Sequence, residues 1–253
     1  MPLSNRLLRH GWLWLLFFAA TTPQARVLIN EIYYRPANES VAEEFIELWN
    51  FGGEPVSLDG WQLDAGVRLA LGKITLPPDS GLVVAADTAR FAELHPGVKN
   101  VTGNWQGQLA NNGETIRLID ATGATADKVR YATEGDWTQR VRGPLHGGHR
   151  GWAWLALHDG GGHSLELRQP NLSNNHGQNW HASVAKHGTP GRANSTKIAN
   201  LSPLILDVIH SPATPRSTDP VTITARLIDE SPDEISARLV YRLDGEANYW
   251  ELP

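Results

Sequence analysis

The stretch of residues 27–63 constrains the fold most, because it consists of short β-rich runs separated by polar or Gly/Pro-containing breaks. Valine, isoleucine, phenylalanine, tyrosine and tryptophan dominate these runs, and none is longer than about eight residues, the usual size of a strand. Residues 27–34 and 43–50 alternate poorly between apolar and polar side chains, which predicts strands covered on both faces. Residues 56–63 form the third predicted strand, with Trp61 in the core. The pattern predicts an all-β protein.

The next seventy residues continue the same pattern. One short helix is predicted, because Asp87 or Thr88 can cap a helix that runs to Leu94 and stops before Pro96. Turn signals separate the other runs, including an Asn-Gly pair at residues 112–113, where both residues tolerate positive φ. Further strands are predicted at residues 67–71, 73–76, 82–86, 101–105, 115–120 and 128–131.

Several motifs resemble those of one known family. They are N-E-I at residues 30–32, E-F-I-E-L-W-N at 44–50, L-D-G-W-Q-L at 58–63, L-A-N-N-G-E at 109–114, S-L-E-L at 164–167 and G-T-P-G-R-A-N at 188–194. Together they resemble the lamin tail domain, which occurs in exported bacterial proteins and in animal nuclear lamins. The resemblance covers residues 27–194 and implies an immunoglobulin-like β-sandwich.

The N-terminal residues 1–25 have the features of a signal peptide. Arg6 and Arg9 precede nine apolar residues at 12–20, and Ala25 ends a plausible cleavage region. Nine apolar residues are too few to cross about 30 Å of hydrocarbon, so a transmembrane anchor is disfavoured. We therefore predict an exported protein, located in the periplasm, on the cell surface or outside the cell, with no membrane span after cleavage.

The remainder of the chain divides into two predicted units. Residues 26–196 form the sandwich domain, and residues 197–202 form a linker. Residues 203–253 contain three strand-like runs, at 204–210, 221–228 and 235–243, which resemble the start of a second immunoglobulin- or fibronectin-like sandwich. About fifty residues are too few for the roughly seven strands of such a sandwich, so we predict a truncated second domain that continues past Pro253.

Composition excludes several functions. The 253 residues include 22 Lys and Arg against 27 Asp and Glu, for a formal charge of −5, which argues against nucleic-acid binding because a basic face is needed to displace counterions. The chain has no cysteine, so disulfides, cysteine-ligated zinc and cysteine nucleophiles are excluded. Neither a G-X-S-X-G elbow nor a phosphate-binding glycine loop occurs.

A long connection at residues 134–162 is predicted to leave the sandwich as a loop, either functional or packed back onto the sheet. It holds Trp137, Trp152 and Trp154, which we predict to lie outside strands. An exposed row of indoles can stack on sugar rings or on a protein partner. The alternative is that these tryptophans seal the open end of the sandwich.

The same connection contains four histidines, His146, His149, His158 and His163, within eighteen residues. A folded loop that gathers three of them would form a zinc site, although their spacing matches no zinc signature. The alternative is that they pack on the neighbouring tryptophans or face solvent.

Two carboxylates form the second candidate metal site. Glu31 and Glu47 are each flanked by apolar residues, and on neighbouring strands they would suit Ca²⁺, which takes oxygen ligands, or act as an acid–base pair. The alternative is that each is hydrogen-bonded at the edge of the core, as buried carboxylates require. No cofactor is therefore predicted, with calcium or zinc as the alternatives.

These observations predict a non-catalytic, exported binding or scaffolding module, with no catalytic residues. Its partner would be a protein or polysaccharide at the cell surface, or a downstream domain of the same protein. The resemblance implies that the same protein also contains other β-sandwich modules and a spore-coat-protein-H-like kinase domain. The competing hypothesis is a metal-assisted hydrolase that uses the histidine loop between His146 and His163.

Overall fold

The computed structural model describes residues 26–147, 149–231, 235–242 and 248–252, and of His149 only the backbone. The predicted signal peptide lies outside the described residues. Three single-turn 3-10 helices occur at Val41–Glu43, Gly135–Trp137 and Gly177–Asn179, and one α-helix, α1, at Thr88–Leu94. The strands are β1 (Val27–Tyr33), β2 (Phe45–Asn50), β3 (Val56–Ser57), β4 (Gln62–Ala65), β5 (Leu69–Ala70), β6 (Thr75–Leu76), β7 (Ser80–Ala85), β8 (Val101–Gly103), β9 (Thr115–Ile119), β10 (Thr125–Arg130), β11 (Gln139–His146), β12 (His149–Leu155), β13 (Leu165–Leu167), β14 (Trp180–Ala182), β15 (Leu204–Ser211), β16 (Thr222–Ile228), β17 (Leu239–Tyr241) and β18 (Trp250–Leu252).

Two sheets face each other across one core. The larger has the order β14-β13-β1-β2-β7-β8 and is antiparallel except between β7 and β8, and the smaller has the order β10-β9-β4-β5. Ile32 and Ile46 point inward from the larger sheet, and Leu63 and Leu118 from the smaller, each at most 1% exposed. Trp61 joins this core, as predicted. The arrangement is an immunoglobulin-like β-sandwich, which confirms the predicted fold class.

The outer face of the larger sheet is also covered. Helix α1 packs there through Phe91, whose ring lies 5.7 Å from that of Phe45. Asp87 caps the helix, because its Oδ1 accepts the N–H groups of Ala89 at 2.9 Å and Arg90 at 3.0 Å. Cover on both faces explains why β1 and β2 are apolar without alternation, as their sequence predicts.

The predicted strand at residues 56–63 is in fact two strands, β3 and β4, in separate sheets. A turn interrupts it, because the N–H of Trp61 donates to the carbonyl of Leu58 at 3.0 Å. Gly60 supplies the positive φ of +79° that this turn requires and that other residues rarely adopt.

The predicted loop at residues 134–162 contains a β-hairpin. Strands β11 and β12 pair antiparallel, with Arg142 opposite Trp152 and Arg140 opposite Trp154, and Gly147 at φ +54° lies in the turn. The prediction that Trp152 and Trp154 lie outside strands is therefore wrong. Alternation of side chains along both arms, with two glycines between them, is what makes this segment a hairpin.

Two further hairpins follow residue 203, β15 with β16 and β17 with β18. The predicted runs at 204–210 and 221–228 correspond to the first of them. Leu201, Leu204 and Leu206 pack against Leu172 of the sandwich, so residues 197–202 form no helix or strand but lead into a buried contact. The second sandwich and the domain boundaries stay predictions.

Candidate functional site

Three glutamates lie side by side on the outer face of the larger sheet. Strand β1 runs between β2 and β13, which places Glu31 opposite both Glu47 and Glu166. Each of the three is 0% exposed. A group of buried carboxylates requires hydrogen-bond donors, and these donors indicate what the group does.

Glu31 holds the loop that closes the sandwich. Its Oε1 accepts the backbone N–H of Thr189 at 2.8 Å and the hydroxyl of Ser164. Gly188, at φ +75°, leaves no room for a side chain, because a Cβ there would overlap Oε1 of Glu31. We call residues 187–196 the closing segment.

Glu166 binds the second half of the closing segment. Its Oε1 accepts the hydroxyl of Thr189 at 2.7 Å, and its Oε2 accepts the hydroxyl of Ser195 and the N–H of Thr196, each at 2.8 Å. The carboxylate thus holds two points of the closing segment, which contains no β-strand.

Glu47 also binds the closing segment, and it contacts a β-bulge in β1. The register of β1 shifts between Ile29 and Glu31, which leaves Asn30 as an extra residue on this face. Glu47 accepts the N–H of Gly191 at 2.7 Å and the side-chain amide of Asn30 at 2.8 Å. Asn194 in turn donates to the carbonyl of Asn30 at 3.0 Å.

Burial raises the pKa of Glu31 well above its usual range, and the neighbouring Glu47 raises it further. Burial likewise raises the pKa of Glu47 to about 7. The carboxyl of Glu31 is therefore harder to ionise than that of an exposed glutamate. The three glutamates therefore serve to hold the closing segment against the larger sheet.

These contacts disfavour the calcium and acid–base hypotheses for Glu31 and Glu47. Their carboxylate oxygens face N–H and O–H donors, which would repel a cation. Within residues 26–147, 149–231, 235–242 and 248–252 the structure contains no group of three or more His, Asp or Glu side chains placed to bind a metal ion.

The histidines have separate partners. His158 is 1% exposed, accepts the Tyr34 hydroxyl at Nδ1 (2.8 Å) and donates from Nε2 to the carbonyl of Trp137 (2.8 Å). Burial lowers its pKa to about 4, so it is neutral. His163 contacts the carbonyl of Ser183 at 2.7 Å, and His146 lies exposed in β11. Nothing is described of the His149 side chain, and the other three are not brought together.

The three predicted binding tryptophans also separate. Trp137 packs against the core, with its ring centroid 5.9 Å from that of Trp180. Trp152 and Trp154 are 49% and 56% exposed on β12. Only these two can form a contact surface in their present positions.

Arginines that the sequence interpretation missed surround the two exposed tryptophans. Because side chains alternate along a strand, Arg150, Trp152 and Trp154 share one face of β12, and Arg140 and Arg142 lie opposite on β11. The guanidinium carbons of Arg140 and Arg142 each lie 4.4 Å from the centre of the Trp152 ring. We call these five residues the Arg/Trp face. This face could have been predicted from the sequence, because R-V-R and R-G-W-A-W lie on either side of H-G-G-H.

The Arg/Trp face is cationic. Three arginines and no Asp or Glu occur between Trp137 and His158, in a chain that is acidic overall. A patch of exposed indoles and stacked guanidinium groups is suited to binding, whereas it offers no nucleophile or general base for catalysis.

A cleft of about 910 Å³ lies elsewhere, beside the closing segment. Two of its polar side chains are engaged within the protein: the indole N–H of Trp49 donates to Asp79 at 3.1 Å, and the Lys99 ammonium donates to the carbonyl of Pro96 at 3.0 Å. We therefore place the candidate site on the hairpin.

The fold and this surface define an immunoglobulin-like β-sandwich of the kind that acts by binding. Residues 20–133 match the family model described as Lamin Tail Domain, which confirms for this part of the chain the resemblance that the motifs carry. The sheet continues past the matched range, because β13 and β14 pair beside β1. No curated protein matches the chain. Among the described residues, no helix is long and apolar enough to span a membrane.

Proposed function

We propose that this chain is a non-catalytic binding module that attaches to a polysaccharide through the Arg/Trp face. The observation that carries the proposal is the pair of half-exposed indoles, Trp152 and Trp154, set among three arginines on one face of a hairpin. Indole rings stack on the C–H faces of sugars, and guanidinium groups donate to their oxygens.

The order already present in this face supports the proposal. Arg140 and Arg142 are held against Trp152 before any ligand arrives, so binding freezes few rotamers. His158 and Trp137 fix the start of the hairpin to the sandwich, because the His158 ring bridges Tyr34 and the carbonyl of Trp137. The face is therefore presented on a rigid base.

Replacing both Trp152 and Trp154 with alanine is expected to weaken polysaccharide binding about tenfold or more, because each stacked ring contributes about 1 kcal/mol. Affinity electrophoresis against dextran, xylan, alginate and polygalacturonate measures the loss. The matched control is Trp250→Ala, since Trp250 is 58% exposed but lies in β18, outside the hairpin.

Three results would contradict the proposal: binding that survives the double substitution, equal loss in Trp250→Ala, or no binding to any of the four polymers. If the same face binds a protein and no polysaccharide, the proposed ligand is wrong and the partner is that protein.

The proposal places this module outside the cytoplasm. Residues 1–25 support this location, because they have the pattern of a signal peptide: two arginines precede nine apolar residues, and a small residue stands at the end. Fused to a phosphatase that is active only after export, these residues should give activity, and changing Arg6 and Arg9 to glutamate should lower it. An inactive fusion would contradict the exported location.

The proposal also sets the module within a larger protein, in which it positions other domains. The resemblance to exported bacterial proteins supports this, including those that carry a spore-coat-protein-H-like kinase domain. The sequence of the gene beyond Pro253 tests it directly, since a stop codon at that point would remove the downstream domain from the account.

A further inference from the structure

A second feature adjoins the Arg/Trp face. A cleft of about 510 Å³ lies between the hairpin, strand β14 and strand β15. Arg140 and Trp154 line it from the hairpin, and Ile205 and Val208 from β15. Since Arg140 and Trp154 belong to both surfaces, the cleft continues the Arg/Trp face into the body of the protein.

Arg168 places a guanidinium group in this cleft. It follows β13 directly and is partly buried, and its Nε atom is shielded from solvent with no hydrogen-bond partner. Among the described residues Arg168 forms no ion pair, whereas Asp136, the acidic residue that lines the cleft, accepts the side-chain amide of Gln178 at 2.9 Å. A shielded guanidinium N–H without an acceptor is costly unless a ligand supplies one.

The charge of the rest of the chain limits what the ligand can be. Without the three hairpin arginines, the chain carries 27 acidic against 19 basic side chains. Nucleic acid has a charge about every 1.7 Å of duplex, so its phosphates would run over an acidic body. A polyuronate carries one planar carboxylate per sugar and keeps apolar C–H faces, which matches arginines interleaved with indoles.

We infer that the cleft binds a carboxylated polysaccharide, with Arg168 and Arg140 on its carboxylates and Trp154 against a sugar ring. This inference rests on the proposed function and specifies its ligand class. The Arg/Trp face and the cleft share Arg140 and Trp154, and such a continuous surface suits a linear polymer that spans several sugars.

Polygalacturonate and its methyl-esterified form test the inference, because they share a backbone and differ in charge. The chain is expected to bind the acid form at least tenfold more tightly, by calorimetry, and raised salt should reduce that preference by screening. Arg168→Met should remove most of the preference for the acid form over the ester. Arg130→Met, which replaces an exposed arginine on β10, is the control.

Equal binding of the acid and ester forms would overturn the inference, yet would leave the proposed function standing if both still depend on Trp152 and Trp154. Tighter binding of single-stranded DNA than of polygalacturonate would overturn it as well. A urea unfolding curve checks that Arg168→Met is folded. If that variant is not folded, Arg140→Met takes its place, and an unchanged acid preference in it would contradict the inference.

Discussion

Replacing Glu31 with alanine is expected to destabilise the sandwich by about 3 to 5 kcal/mol, measured by urea unfolding. The substitution removes a fully buried side chain and leaves the N–H of Thr189 and the hydroxyl of Ser164 without their acceptor. The closing segment would lose its attachment at Thr189, so amide exchange across residues 187–196 should accelerate.

Glu31→Gln is the matched control for this prediction. Burial raises the pKa of Glu31, so the neutral glutamine resembles the protonated side chain, with an amide oxygen left to accept the same donors. We expect it to cost about 1 kcal/mol or less. An alanine variant as stable as the glutamine variant would show that the carboxylate cluster does not hold the closing segment.

Ionisation of Glu44 is expected to cost the folded protein about 2 to 3 kcal/mol of stability as pH rises from about 5 to 8. Glu44 is 2% exposed and accepts the N–H of Leu109 at 2.9 Å. Burial raises its pKa to about 7, and the nearby Glu114 adds repulsion. The unfolded chain releases this proton near its ordinary pKa of 4.5, so ionisation above that pH favours unfolding.

The difference between the wild type and Glu44→Gln isolates this residue. His95 and His158, whose pKa values burial lowers to about 4, act in the opposite direction: they make the fold less stable as pH falls below about 6.5. Paired unfolding curves at pH 5 and pH 8 should show Glu44→Gln gaining about 2 to 3 kcal/mol relative to the wild type. A pH-independent difference would contradict a raised pKa for Glu44.

Local patterns predicted much of the fold. The apolar runs around Glu31 and Glu47 predicted doubly covered strands, and Asp87 predicted the start of α1. Between Ser57 and Gln62 the prediction was wrong, because a glycine turn inside an otherwise strand-like run moves the chain from one sheet to another. The alternation R-V-R and R-G-W-A-W could have predicted the hairpin, had its glycine content not indicated a loop.

The sites were less predictable, because they depend on which distant strands pair. Glu31 and Glu47 were identified as isolated carboxylates, yet their partner Glu166 arrives only when β13 pairs with β1. Arg168 enters the cleft for the same reason. Pairing across more than a hundred residues follows from the packing of the whole sandwich, which local periodicity does not contain.

The most direct test of the account is the indole N–H spectrum of the chain, recorded by NMR during a titration with polygalacturonate oligomers. The account predicts that the signals of Trp152 and Trp154 shift, while those of the buried Trp49, Trp61 and Trp105 stay in place. Shifts confined to the buried indoles, or no shift at all, would contradict binding through the Arg/Trp face.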